Sequence, residues 1–217
     1  MDDPPGRVGV RDTYDRIASH FSQTREYPWP EVESFLEGHE VGGVGLDVGC
    51  GNGRHTELLG QYADRVIGID VSRGLLEEAR NRIADADVSA AVSLLQGDAS
   101  ELPIRSGCVD VAVYVATLHH LPSRDLRVAS LDELARVLGS DARALVSSWS
   151  TAHDSFDAEK GFDTTVDWTL PGGNCVPRYY HIYDPDEFRA DLAASGLEPV
   201  DVYVSSGNCY AEVSSPE

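Results

Sequence analysis

Leu46-Asp47-Val48-Gly49-Cys50-Gly51-Asn52-Gly53 is the stretch on which the fold turns. Its first three residues close an apolar run, 44–48, that reads as a strand. Glycines at 49, 51 and 53 let the backbone turn sharply and approach a ligand closely. The helix predicted behind them, near 55–62, favours negative groups at its start. A dinucleotide fingerprint would be G-x-G-x-x-G. Here Gly49 and Gly51 fit, but the third position is Arg54 and the extra glycine is Gly53. A pyrophosphate cradle, and with it a dehydrogenase, is therefore disfavoured. The G-x-G-x-G turn behind an acid, Asp47, suits a ligand that has no phosphate but carries a cationic amine and a sulfonium.

Strands and helices alternate outward from this turn. RVIGID (65–70) reads as a second strand and 73–84 as a helix; AVSLLQ (91–96) reads as a third strand. VDVAVYVA (109–116) is a buried fourth strand, 124–138 a helix and ARALVSSW (142–149) a fifth strand. Residues 150–183 show aromatics but little periodicity and read as irregular. A helix at 185–195 precedes PVDVYV (199–204) and NCYAEV (208–213), split by Ser205-Ser206-Gly207. Alternation of this kind implies parallel pairing through βαβ crossovers. The last two runs lie too close for a crossover, so they form a hairpin. Upstream, Tyr14, Ile17, Ala18 and Phe21 lie at helical spacing within 13–22. A turn at Pro28-Trp29-Pro30 starts a second helix that reaches about Glu37. The expected organisation is a flexible 1–12 and one domain over 13–217, with an N-terminal helical cap at 13–40 and a substrate-side insertion at 150–183.

Composition bounds the setting. The chain has 217 residues and a formal net charge of −20. Its basic residues are 16 Arg and one Lys, Lys160, against 22 Asp and 15 Glu. The balance argues against a general nucleic-acid coat and against binding to anionic membranes. With 41% hydrophobic residues, disorder is not the reading. An excess of Asp over Glu with almost no Lys suggests work in concentrated salt, where the Debye length is about 3 Å at 1 M. The N-terminal residues do not read as a signal peptide. No run reaches the roughly 20 apolar residues of a membrane span. A cytoplasmic protein is expected. Cys50, Cys108, Cys175 and Cys209 form no CxxC pair, so no metal site is expected from this chain.

The glycine turn together with Asp70 resembles the Rossmann-like S-adenosylmethionine-dependent methyltransferases. Asp70 ends the second strand 19 residues after Gly51, the place for a carboxylate that accepts ribose hydroxyls. The resemblance implies a doubly wound α/β sheet of seven strands, order 3-2-1-4-5-7-6 with the last strand antiparallel. It also implies S-adenosylmethionine as cofactor, held by Asp47, Gly49, Gly51, Gly53, Asp70, Asp98, Ala99 and Val115. The fourth strand runs into Thr117-Leu118-His119-His120 at the carboxyl edge of the sheet, where ligands lie.

Several stretches resemble one family within that class, the tRNA wobble-uridine carboxymethyl methyltransferases. They are Tyr14 through Arg25 (YDRIASHFSQTR) with Pro28-Trp29-Pro30, Leu118-His119-His120-Leu121 with Ser123-Arg124, and Glu133 through Leu138. They continue with Ala144 through Trp149, Val176 through Tyr183 (VPRYYHIY), and Gly207-Asn208-Cys209-Tyr210. The departures are Tyr27 beside Pro28, Cys209 where an aromatic is expected, and a shortened insertion before Trp168. The resemblance implies methyl transfer to the carboxylate of 5-carboxymethyluridine, or a related modification, at the wobble position of tRNA. A carboxylate with a pKa near 4 is already nucleophilic at neutral pH, so no general base is required and catalysis rests on positioning and desolvation. A cation should orient it, preferably a bidentate arginine. Arg25 and Arg178 are the candidates, with His119 a third candidate catalytic residue. His20, Trp149, Tyr180, Asn208 and Tyr210 are candidates for the wall of the base pocket.

The resemblance also implies a small zinc-ribbon activator subunit. In the class order the third strand is a sheet edge, and Val92, Leu94 and Leu95 carry no blocking Lys or Pro. An open apolar edge is a hazard that an added partner strand removes; Ala86-Asp87-Val88 would rim that contact. Two other readings stand beside this one: a small-molecule methyltransferase of the quinone- or sterol-precursor type, and a cofactor-binding scaffold without catalysis.

Overall fold

The computed structural model describes residues 7–39, 42–86, 88 and 90–215. Two helices, α1 (Arg7–Gln23) and α2 (Pro30–Glu37), precede the sheet. Then follow β1 (Val44–Val48), α3 (Arg54–Leu59), β2 (Arg65–Asp70), α4 (Arg73–Asp85) and β3 (Ala91–Gln96). β4 (Val109–Val115), α5 (Arg124–Val137) and β5 (Leu138–Trp149) complete the parallel part. After these come β6 (Phe162–Thr169), β7 (Cys175–Ile182), α6 (Pro185–Ala194), β8 (Glu198–Ser205) and β9 (Asn208–Ser214).

The seven-stranded sheet has the order β3-β2-β1-β4-β5-β9-β8. All pairings are parallel from β3 through β5, and β9 is antiparallel to both β5 and β8. This is the expected Rossmann-like topology. Strand alternation splits the core in two. Leu46, Val48, Ala112, Tyr114, Ala144 and Val146 pack with Leu131 and Leu134 of α5 and Phe188 and Leu192 of α6. Val111, Val113, Val115 and Leu145 face the other way, onto Val32, Phe35 and Leu36 of α2 and Leu58 and Leu59 of α3. A period of two along each strand thus covers both faces of the sheet.

Local signals set the helix starts. Ser72 accepts the Leu75 N–H, Ser123 accepts that of Leu126, and Asp184 accepts those of Asp186 and Glu187 with Pro185 just inside the helix.

Two expectations are corrected. Residues 7–12 belong to α1, so the part of the 1–12 segment that is described is helical rather than flexible; residues 1–6 lie outside the described residues. Residues 150–183 are not irregular, because they contain the antiparallel hairpin β6–β7. Phe162, Thr164, Val166 and Trp168 alternate with Asp163, Thr165, Asp167 and Thr169, and the first set is the less exposed. The short, polar members of this alternation hid it from an apolar-run reading. Gly172 and Gly173, with φ of 96° and 85°, close the hairpin. The hairpin is tied to the sheet through Tyr183, whose N–H donates to Trp149 O (3.0 Å) and whose carbonyl accepts Thr151 N–H (2.8 Å).

Candidate active site

The carboxyl ends of β1, β2 and β4, with one face of α1, surround an open cavity. Its floor is the turn after β1, where Gly49, Gly51 and Gly53 all have positive φ (71°, 54° and 80°). At Gly49 a Cβ would fall 2.1 Å from Thr117 Oγ1, so only glycine lets the β4 end cross over this turn. At Gly53 a Cβ would lie 3.1 Å from Ala79 Cβ, which fixes how closely α3 and α4 approach. Ala116, at φ 55°, is a non-glycine residue in the left-handed region on the cavity wall. Strain of this kind gathers at ligand sites, and no sequence signal marks it.

Asp70 holds the turn from below. Its carboxylate accepts Gly51 N–H (2.8 Å) and Ser72 N–H (2.8 Å). Burial raises its pKa to about 6, opposed by those backbone hydrogen bonds. Asp98, whose Oδ1 accepts Ser100 N–H (2.9 Å), lines the cavity with Ala99 and Val115. Asp47 and Gly53 do not line it. Asp47 is buried beneath the turn, accepts Thr56 Oγ1–H at 2.6 Å, and is raised to about 7 by burial.

These residues fit S-adenosylmethionine. A turn of three positive-φ glycines, a carboxylate at the end of β2 and another after β3 match its amino acid, ribose and adenine parts without a phosphate site. The apolar rim of Tyr14, Phe21 and Leu75 suits the sulfonium and adenine surfaces.

Beside the cavity lies an aromatic and basic wall. His120, rather than His119, lines the cavity. His120 Nδ1–H donates to Tyr179 O (2.9 Å), so its Nε2 accepts the Tyr14 hydroxyl (2.8 Å). Burial lowers the His120 pKa to about 4. His119 is also held neutral by burial. Its Nδ1 accepts Trp149 N–H (3.0 Å), and its ring stacks on Tyr180 (centroids 4.9 Å). Trp149 meets the same Tyr180 edge-on at 5.3 Å.

The hairpin brings Trp168 over this wall, and Arg25 and Arg178 both meet it. Arg178 Cζ lies 4.8 Å and Arg25 Cζ 5.5 Å from the Trp168 ring centroid. Trp168 Nε1–H donates to His20 Nδ1 (3.0 Å). Arg178 is buried, donates Nη1–H to the Tyr180 hydroxyl (2.6 Å), and leaves its Nε without a partner. Among the described residues no carboxylate pairs with Arg25 or Arg178.

Thus Arg25, Arg178, His20, His119, Trp149 and Tyr180 come together. Two candidates do not join them. Tyr210 points to the α2 side, stacked on Tyr203 (5.4 Å) and near Trp29 (6.4 Å). Asn208 bonds within its own turn, to Ser206 O (3.1 Å). The alternation of β9 explains this, since Cys209 and Tyr210 face opposite cores. Tyr14, Trp168 and His120 are the site residues that sequence reading did not assign, although the first and last lie inside quoted motifs. Among the described residues no cluster of His, Cys, Asp and Glu is arranged to hold a metal. None of the described helices is long and apolar enough to cross a membrane.

Residues 46–146 match the family profile described as a methyltransferase domain. The tRNA (carboxymethyluridine(34)-5-O)-methyltransferase of Saccharomyces cerevisiae is 35% identical over 176 residues, 78% of this chain. The Schizosaccharomyces pombe protein of the same name is 29% identical over 212 residues and covers 86% of this chain and 87% of itself. A putative methyltransferase of Encephalitozoon cuniculi is 30% identical, over 93% of each chain. The chain spans 59% of the length of the S. cerevisiae relative and 21% of the longer Xenopus tropicalis one. Among solved structures, the fold resembles a complex of the Haloferax volcanii Trm112 methyltransferase activator with a putative methyltransferase. The TM-score is 0.71 at 17% identity, over 96% of this chain and 98% of that one. This chain belongs to the methyltransferases, with S-adenosylmethionine as its methyl donor, and is similar to the tRNA (carboxymethyluridine(34)-5-O)-methyltransferases.

Proposed function

We propose that this protein methylates the carboxylate of a 5-carboxymethyluridine, or of a closely related wobble modification, in tRNA. The observation that carries the reading is Arg178. A buried guanidinium with no carboxylate partner and a free Nε–H is costly unless an anion is brought to it. A carboxylate ligand meets that need with charge-assisted hydrogen bonds. Arg25, across Trp168, supplies a second cation for the same anion. S-adenosylmethionine bound in the cavity supplies an electrophilic methyl group, and a carboxylate acceptor takes it without giving up a proton. The buried, neutral His119 and His120 are therefore walls and anchors rather than bases. His119 and Trp149 hold Tyr180 in place, and Tyr180 holds Arg178. Trp168 and His20 close the pocket against water.

The second part of the proposal is a zinc-ribbon activator subunit added at the β3 edge. Among the described residues β3 pairs only with β2, and Leu95 is 38% exposed. Val92 and Leu94 are half-buried beside it. Of the suggested rim, Asp87 lies outside the described residues. The likeness to a putative methyltransferase solved in complex with the Trm112 methyltransferase activator agrees with this reading. Work in a salt-rich cytoplasm, and a single methyltransferase domain with its cap and hairpin, complete it.

The test is labelled-methyl transfer from S-adenosylmethionine to tRNA carrying carboxymethyluridine, with the activator subunit, in molar salt. The expected product is a tRNA-bound label released by mild alkali, as an ester requires. Transfer only to extracted small molecules would overturn the reading.

A further inference from the structure

The chain carries −20 overall, yet Arg54, which lines the cofactor cavity, has the guanidiniums of Arg25 and Arg82 as close neighbours. Arg54 and Arg82 hold the loop that joins α1 to α2 by its carbonyls, and Arg25 lies within that loop. Arg82 donates Nη1–H to Arg25 O (3.3 Å) and Nη2–H to Glu26 O; Arg54 donates Nη1–H to Tyr27 O (3.3 Å). Asn52 adds a hydrogen bond to Arg25 O (2.8 Å). Arg54 also lies over the Trp29 ring, 5.4 Å from its centroid. Only Arg82 has a carboxylate partner among the described residues, Glu57 at 2.7 Å. Burial, followed by repulsion from Arg25 and then Arg82, lowers the Arg54 pKa to about 10, and the charge of Asp47 opposes the shift.

This grip presents one aromatic ring outward. Tyr27 is 72% exposed, well beyond any of the other exposed large hydrophobic side chains. No described residue packs a ring on it. Its backbone is fixed by Arg54, which itself lines the cavity. An exposed aromatic ring on a rigid, cation-lined rim is what a single-stranded RNA needs: a flat surface for one base and positive charge for the neighbouring phosphate. Stacking is also the part of such binding that survives high salt, where counterion release adds little.

We infer that Tyr27, with Arg54 behind it, is a stacking platform for a nucleotide that flanks the methylated uridine. The inference rests on the RNA-acceptor reading above. Tyr27 stacks on the base, and Arg54 neutralises the adjoining phosphodiester. Tyr27 touches neither cofactor nor acceptor, so it sets RNA affinity rather than the chemical step.

The test separates the platform from the reaction. Binding of a fluorescent anticodon stem-loop that lacks the carboxymethyl group is measured by anisotropy, and methyl transfer is measured separately on the modified stem-loop and on free 5-carboxymethyluridine nucleoside. Tyr27→Ala is expected to weaken stem-loop binding about tenfold, the loss of one base–aromatic stack. It should raise KM for the modified stem-loop by a similar factor, leaving kcat, S-adenosylmethionine affinity and nucleoside methylation unchanged. Tyr27→Trp should restore binding. Equal stem-loop affinity in Tyr27→Ala and wild type would overturn the platform, as would no stem-loop binding by wild type. Stem-loop binding that depends on Tyr27, without methyl transfer to any RNA, would instead overturn the carboxymethyluridine reading and keep the platform.

Discussion

The guanidinium of Arg178 lies over the ring of Trp168, its Cζ 4.8 Å from the centroid, and these two residues come from opposite strands of the β6–β7 hairpin. The contact fixes a buried cation in one orientation while leaving N–H groups free for a planar anion. Lysine cannot reproduce that, because it lacks both the flat stacking surface and the forked donors. Arg178→Lys should therefore lower kcat/KM for carboxymethyluridine tRNA by about 10- to 100-fold, the range of one charged hydrogen bond. S-adenosylmethionine affinity, read by calorimetry, should stay within about twofold. Equal losses in both would show that Arg178 serves the fold rather than the acceptor.

Cofactor affinity should depend on Asp70 and on pH in a defined direction. Burial raises this carboxyl to about 6, so it is protonated below that pH and ionised above it. The ionised form accepts ribose hydroxyls and attracts the cationic cofactor. Affinity for S-adenosylmethionine should rise as pH increases through about 6 and level off above 7. Asp70→Asn should bind weakly and lose that rise.

The β3 edge makes a prediction of its own. Leu95→Asp places a charge on an exposed edge position that an added strand would cover. It should abolish co-purification with the zinc-ribbon subunit. The melting temperature of the isolated chain should change little, because surface substitutions usually stay within about 0.5 kcal/mol.

Net charge predicts a salt response. At −20, self-repulsion acts against the compact state, and salt screens it. The melting temperature should climb steadily from dilute buffer to molar potassium chloride. An unchanged melting temperature would remove the high-salt reading.

Much of the fold was legible because its signals are local. Val44–Val48 lies between Gly43 and Gly49, Arg65–Asp70 follows Asp64, and Ala91–Gln96 runs into Gly97; each is a strand at those limits. The cofactor side was legible for the same reason, since Gly49 and Gly51 mark the turn and Asp70, at the end of the next strand, binds it through its carboxylate. The acceptor side was less so. Arg25, Trp168 and Arg178 lie far apart in the chain, and only the hairpin joins them. That hairpin alternates Thr and Asp with Phe, Val and Trp, so its apolar signal is thin. Tyr210 is assigned to the base pocket because Gly207-Asn208-Cys209-Tyr210 resembles the ending of the family. Strand alternation sends it to the other face.

The account is tested most directly by the nucleosides of a digested tRNA after reaction. Carboxymethyluridine-containing tRNA is incubated with the protein, its activator subunit and S-adenosylmethionine, then hydrolysed under neutral conditions and analysed by mass spectrometry. The account predicts that the carboxymethyluridine peak is replaced by one a single methyl group heavier, and that mild alkali returns the original. An unchanged carboxymethyluridine peak, or a methyl group that resists alkali, would contradict it.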